Sequence, residues 1–247
     1  MPDTRSHRGL HPRDAASFAP EARPALRAAT SDLSFLLERG YAPDSSLKLV
    51  GDRHALVQRQ RAAVARCACA YGVAVRRNHR RVSPPALRGA TLVIDGFNVL
   101  TTLEVALSGG IVLLARDGVL RDIAGVHGSY RKVSETVPAL GLIARLAASL
   151  AVSRCLFLLD RPVSNSGRLR AVIEQEGAAL GVGFEAQIVP DPDPLLRATP
   201  EIVASADGAV LDDCARWFNL ARSCVEAYVP GAHLVDLSEE GSTGTGR

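Results

Sequence analysis

The run Thr91-Leu92-Val93-Ile94-Asp95-Gly96-Phe97-Asn98 constrains the fold most, because a stretch of apolar and β-branched residues stops abruptly on a carboxylate. A short, continuously apolar run bounded by turn residues reads as a strand buried on both faces, as in a parallel sheet. Its acid then sits at the carboxyl end of the strand, the edge at which open α/β sheets hold ligands. Two further acids occupy comparable places. Asp160 closes Arg154-Cys155-Leu156-Phe157-Leu158-Leu159-Asp160, and Asp207 follows Glu201-Ile202-Val203-Ala204-Ser205-Ala206. Three carboxylates converging at one sheet edge would suit a hard divalent cation, Mg2+ or Mn2+, which favour oxygen ligands.

Around these runs the chain alternates. Strands are expected at 92–94, 111–114, 155–159, 184–189 and 202–204, with an edge strand at 233–237 and helices over 134–151, 166–180 and 207–218. Such alternation predicts an α/β fold, a parallel sheet sandwiched by helices. Ahead of it, Leu26, Ala29, Leu33, Leu36 and Leu37 recur at helical spacing and Gly40 follows as a terminator. Residues 45–71 read as two helices, capped by Ser45 or Ser46 and broken near Gly51-Asp52, in the outline of a helix-turn-helix. Arg76-Arg77-Asn78-His79-Arg80-Arg81 before Ser83-Pro84-Pro85 reads as a basic linker. The expected division is therefore an all-helical basic region with its linker at 1–89, an α/β domain at 90–238 and a disordered tail at 239–247. The first dozen residues read as frayed, and the proline-rich stretch 189–194 as an extended rim.

Charge is split between the two regions. Residues 1–90 carry 16 arginines and lysines against 7 acids, a net +9, whereas the remainder carries −6. A basic half joined to an acidic one suits a polyanion grip beside a cation site, which points to nucleic acid, RNA or DNA, as partner. Arginine and alanine excess from genome composition would give part of the same pattern. No apolar run approaches the ~18 residues of a membrane span, and residues 1–31 hold acids and prolines where a secretory signal needs an apolar centre. A cytoplasmic protein without a membrane partner is the expectation. The five cysteines are odd in number and scattered, and Cys67-Ala68-Cys69 lacks the gap of a zinc knuckle, so buried reduced thiols are expected.

Asp95, Asp160 and Asp207 are thus the candidate catalytic and metal-binding residues. Asn98, three residues past Asp95, could bind a metal water or a phosphate oxygen, or could cap the helix after the strand. Within the stretch 103–132, Asp117 and Asp122 could add a carboxylate, and His127 could carry a proton or contact phosphate. Arg131 and Arg161 could grip phosphate, as could Arg53, Arg59, Arg61 and Arg66 of the basic region.

Val93-Ile94-Asp95-Gly96-Phe97-Asn98-Val99 resembles the first-strand signature of the PIN-like and NYN ribonuclease superfamily. Ser205-Ala206-Asp207-Gly208-Ala209-Val210-Leu211-Asp212 is similar to its later motif, a small hydroxyl residue shortly before an aspartate that opens a helix. The resemblance spans residues 91–237. It implies a compact α/β sheet that gathers acids around one or two divalent cations to hydrolyse RNA, with Asp95 as the first-strand acid, Asp160 as the acid after a central strand, Asp207 as the late acid and Asp212 or Asp213 as a further one. The stretch Leu47-Lys48-Leu49-Val50-Gly51-Asp52-Arg53 resembles an uncharacterised prokaryotic family whose helical region precedes such a domain. The expected function is a divalent-metal-dependent RNA endonuclease, against the alternative of an inactive nucleic-acid-binding or regulatory protein. An aspartyl-nucleophile phosphatase fits less well, because Phe97 stands where that chemistry wants a second acid.

Overall fold

A computed structural model describes residues 7–123, 130 and 132–238. Five helices come first: α1 (Asp14–Ser17), α2 (Arg23–Glu38), α3 (Pro43–Arg53), α4 (Gln58–Cys67) and α5 (Tyr71–Arg80). The α/β region begins with β1 (Thr91–Asp95), α6 (Gly96–Leu107), β2 (Ile111–Leu114), β3 (Leu120–Asp122) and α7 (Thr136–Ser149). It continues through β4 (Arg154–Asp160), α8 (Ser166–Leu180), β5 (Phe184–Val189), α9 (Pro192–Ala198) and β6 (Ile202–Ala204). It closes with α10 (Gly208–Asp213), β7 (Arg216–Trp217), α11 (Leu220–Tyr228) and β8 (His233–Asp236).

The main sheet is parallel throughout, in the order β5-β4-β1-β6-β7. Successive side chains on a strand face opposite ways, and the core divides accordingly. Leu92, Ile94, Cys155, Phe157, Leu159, Ile202 and Ala204 point into a large cluster with α6, α7, α8 and α11. Val93, Leu158 and Val203, the intervening residues, meet Leu196 of α9, Val210 and Leu211 of α10, and Trp217. Burial on both faces accounts for the unbroken apolar runs.

Ile111–Leu114 does not join this sheet. It pairs antiparallel with β3 and parallel with β8, forming a second sheet in the order β3-β2-β8. Ile111, Leu113 and Val235 of that sheet are buried against Leu26, Ala29 and Leu33 of α2 and Ala63 and Val64 of α4. The helical region therefore has no core separate from the α/β region: its helices cannot bury their apolar stripes alone, and the second sheet completes them.

Several expectations change at the local level. Residues 71–80 form α5 rather than a linker, and Arg77 within it is buried. α3 runs unbroken through Gly51, with Ala42 rather than a serine at its N-cap; the break falls after it, where Ala55 takes a φ of +50°. The proline-rich stretch folds into α9, because Asp191 caps it by accepting from the Asp193 N–H at 3.0 Å and Pro192 supplies a helical φ at the first position. The helix expected over 207–218 stops at Asp213, so that β7 and α11 follow. The amino terminus is tied down from His7 onward, where Arg8 binds the fully buried Glu104 and buried Asp14 binds Arg59. The tail 239–247 lies outside the described residues. All five cysteines are free and buried, and burial pushes the Cys67, Cys155 and Cys224 thiols up to about 12.

Candidate functional site

β1 sits at the centre of the sheet, with the chain leaving it first toward β4 and β5 and later returning on its other side as β6 and β7. A cleft at the carboxyl ends of the strands is expected at such a switch point. A cavity of about 490 Å3 opens there, and Asp95, Asp160, Asp193 and Asp207 all line it.

Strand register explains how Asp95 is held. Ile94 is paired with Ala204, so the residue just past the end of β6, Ser205, flanks Asp95. The Ser205 hydroxyl donates to Asp95 Oδ2 at 2.7 Å and accepts from the Asp207 N–H at 3.0 Å. Asp207 then caps α10, its Oδ1 accepting from the Ala209 N–H at 2.7 Å. One hydroxyl thus couples the first-strand acid to the late acid.

Asp95 is only 8% exposed. Burial raises its carboxyl to about 7, opposed by the Ser205 hydrogen bond and reinforced by the negative charges of Asp207, Asp160 and Asp193. Asp160 and Asp193 are also raised, chiefly by burial and further by neighbouring acids. Asp193 belongs to the site although nothing in its proline-rich surroundings marked it as more than rim. The Asp-Pro step at 191–192 is the signal that could have located it, since it places the start of a helix against the strand ends.

Asn98 lines the cavity, but its side-chain oxygen accepts from the Ala206 N–H at 2.8 Å, fixing the loop that carries Asp207. It does not cap α6, whose N-cap is Asp95. Asp122 of β3 also lines the cavity. Asp117 does not: it has no exposure and is gripped by two arginines, Arg77 at 2.6 Å and Arg121 at 2.8 and 2.7 Å. Those guanidiniums reach past it to the carbonyls on either side of Asp207, Arg121 Nε to Ala206 at 2.8 Å and Arg77 Nη2 to Gly208 at 3.0 Å.

Asp212 is set apart from the other acids. It lies one turn along α10, outside the cavity lining, and its carboxylate is bound by Arg77 Nε at 2.7 Å. The metal role expected for it is therefore replaced by that of an ion-pair partner. Arg161, expected to grip phosphate, has an exposed side chain outside the cavity lining, beyond the end of β4. His127 and Arg131 lie outside the described residues. Of the arginines in 53–66, only Arg66 lines the cavity; Arg59 is committed to Asp14 and Arg61 to Asp52.

Among the described residues, no three carboxylates, imidazoles or thiols lie close enough together to form a ready-made metal cluster. No described helix is long and apolar enough to cross a membrane.

Fold and site together define a parallel α/β protein with an acid-lined cleft at the carboxyl ends of its strands. The chain belongs to the family described as Domain of unknown function (DUF5616), which matches residues 84–223. Residues 25–80 match a second family, described as Protein of unknown function (DUF434). An uncharacterized protein of Methanocaldococcus jannaschii is 27% identical over 186 residues, covering 75% of this chain and 88% of its own. No solved structure matches the chain.

Proposed function

We propose that the protein is a divalent-cation-dependent phosphodiesterase that cleaves RNA, working at Asp95, Asp160, Asp193 and Asp207. The observation that carries this reading is the Asp95 carboxyl at the end of the central strand, raised chiefly by its burial and further by three neighbouring acids, and bonded to no cation among the described residues. Such an arrangement is costly for the folded chain unless a cation or a proton relieves it, and perturbed groups of this type cluster at functional sites. The likeness of the β1 and β6–α10 motifs to the PIN-like and NYN superfamily supports the same chemistry.

The donors fit Mg2+ or Mn2+. They are carboxylate oxygens without thiol or imidazole, and their spread suits a cation that keeps several waters and uses only one or two protein carboxylates. Asp95 and Asp207 would hold it, with Asp160 and Asp193 lining the same cavity. A bound divalent cation would supply a water of lowered pKa and neutralise charge on the phosphate. The chain's own part is positional: Ser205 aims Asp95, while Asn98, Arg77 and Arg121 fix the loop bearing Asp207. An RNA substrate would be met in the cytoplasm.

The test is incubation of the purified full chain with single-stranded and structured RNA in Mg2+ or Mn2+, beside an Asp95→Asn variant. Cleavage that disappears with the variant and with chelator supports the reading. Cleavage unchanged by Asp95→Asn removes it, and binding without cleavage favours a nucleic-acid-binding protein.

A further inference from the structure

The cavity has a second wall, built by the helical region. Ala65 and Arg66 of α4 and Ala68 just beyond it line the same space as Thr101 and Thr102 of α6, Asp122 of β3 and the acids. Three arginines line it, and two have their donors committed: Arg77 and Arg121 are tied to Asp117, Asp212 and the carbonyls around Asp207. Arg66 differs. It donates one hydrogen bond, Nη1 to the Asp122 carbonyl at 3.0 Å, makes no ion pair among the described residues and is exposed. A guanidinium offers five N–H donors in a planar fork suited to phosphate, so most of its capacity is left unused by the described residues.

Thr101 supplies an independent observation. It is 2% exposed, and its buried hydroxyl has no hydrogen-bond partner among the described residues, although neighbouring Thr102 donates to the Asn98 carbonyl at 3.1 Å. Buried hydroxyls are ordinarily paired, because leaving one unpaired forfeits the hydrogen bonds it made with water. This one belongs to a cavity-lining residue.

We infer that Arg66 and Thr101 form an anion subsite that holds a backbone phosphate of a single-stranded polyanion, next to the phosphate presented to the acids. The inference rests on the hydrolytic reading for which phosphate is cut, but not for binding. Ala65 and Ala68, both small, line the cavity near Arg66 in sequence. The basic helical region then contributes a wall of the site itself, and the ligand must be long enough to offer two phosphates.

The experiment uses the full chain and a short fluorescein-labelled single-stranded RNA in Ca2+, with anisotropy read at several salt concentrations. Arg66→Ala should raise Kd about tenfold and flatten the dependence of log Kd on log salt by about 0.7, the loss of one phosphate contact on a single strand. Arg66→Lys should keep the slope while losing part of the affinity, since a lysine preserves charge but not the fork. Thr101→Val should weaken binding about threefold while its thermal midpoint stays level or rises, because it removes an unpaired buried hydroxyl. Circular dichroism checks that each variant is folded. Arg66→Ala with wild-type Kd and slope, or wild-type protein that does not hold the RNA, overturns the inference. RNA binding that needs Arg66 in a protein that cleaves nothing would sink the hydrolytic reading alone. Asp95-dependent cleavage with a KM indifferent to Arg66 would sink only the subsite.

Discussion

Arg77 Nη1 lies 2.6 Å from the carboxylate of Asp117, joining a helix of the basic region to a turn of the α/β region where Asp117 has no solvent exposure. Arg121 holds the same carboxylate with two nitrogens, and both arginines continue to the backbone around Asp207. The pair is therefore a seam between the two regions and a mount for a cleft acid at once.

Removing one member of a buried ion network strands the others, which costs about 3–5 kcal/mol. In a chain of this size that is a fall in melting midpoint of roughly 6–12 °C for Arg77→Ala. Asp117→Ala should fall further, because it leaves two guanidiniums facing each other. Thermal unfolding by circular dichroism measures both, and a midpoint for Arg77→Ala indistinguishable from wild type would show that the seam carries no stability.

Asp95 gives stability a defined pH dependence. Its carboxyl titrates at about 7 in the folded protein against an ordinary 3.8, so between those values the folded chain keeps a proton that the unfolded chain has released. Stability must then fall as pH rises from about 4 to about 7, and level off above. Asp95→Asn removes this component. In chelator, its melting midpoint should gain on wild type from pH 5 to about pH 7 and then hold that lead to pH 8; a pH-independent difference would contradict the assignment. Adding Mg2+ or Mn2+ at pH 8 should raise the wild-type midpoint more than the variant's.

Ser205→Ala tests the coupling of the acids. The lost hydroxyl was holding Asp95 below where burial alone would put it, so the Asp95 titration should move upward and stability drop by about 1–3 kcal/mol. Carboxyl-carbon NMR across the pH range follows the titration directly; an unmoved midpoint would mean that the hydrogen bond does not shape the carboxyl.

Arg8 offers a test far from the cleft. It pairs with Glu104, which is fully buried in α6 and also accepts from the Tyr130 and Thr136 hydroxyls. Burial raises Glu104 and Arg8 opposes it. Arg8→Ala should cost about 3 kcal/mol, and adding Glu104→Gln should recover part of that loss, because an amide needs no counter-charge. Additive losses in the double variant would argue against a coupled pair.

Gly96→Ala addresses the strand end itself. A Cβ at this position would stand 2.5 Å from Leu159 Cδ2 and 2.9 Å from the Leu158 carbonyl oxygen. The strand pair β1/β4 would have to part beside Asp95, so both stability and any cleavage should drop. Cleavage kept at the wild-type rate would show that the site tolerates that shift.

The strands that present Asp95, Asp160 and Asp207 were legible because their signal is local: an unbroken apolar run ending on an acid needs only its own residues to be read. Ser205 was legible as part of a motif, though its bond to Asp95 was not. Asp193 was missed because prolines suggested a loop where Asp191 and Pro192 in fact start a helix. Asp212 was misplaced because spacing along a helix does not say which neighbour a carboxylate meets, and here it meets Arg77. Ile111–Leu114 was correctly a strand but belongs to another sheet, since strand propensity carries no partner.

By itself, then, the sequence determined the α/β class, the buried strands and the acids at their carboxyl ends, all consequences of short-range periodicity. Tertiary structure alone decided that a run of arginines becomes a helix whose Arg77 clamps the Asp207 loop, and that the helical region completes its core on the second sheet. The physical reason is separation: Arg77 meets Asp117 across 40 residues and Asp212 across 135, and such charge pairings are fixed by packing rather than by any pattern along the chain.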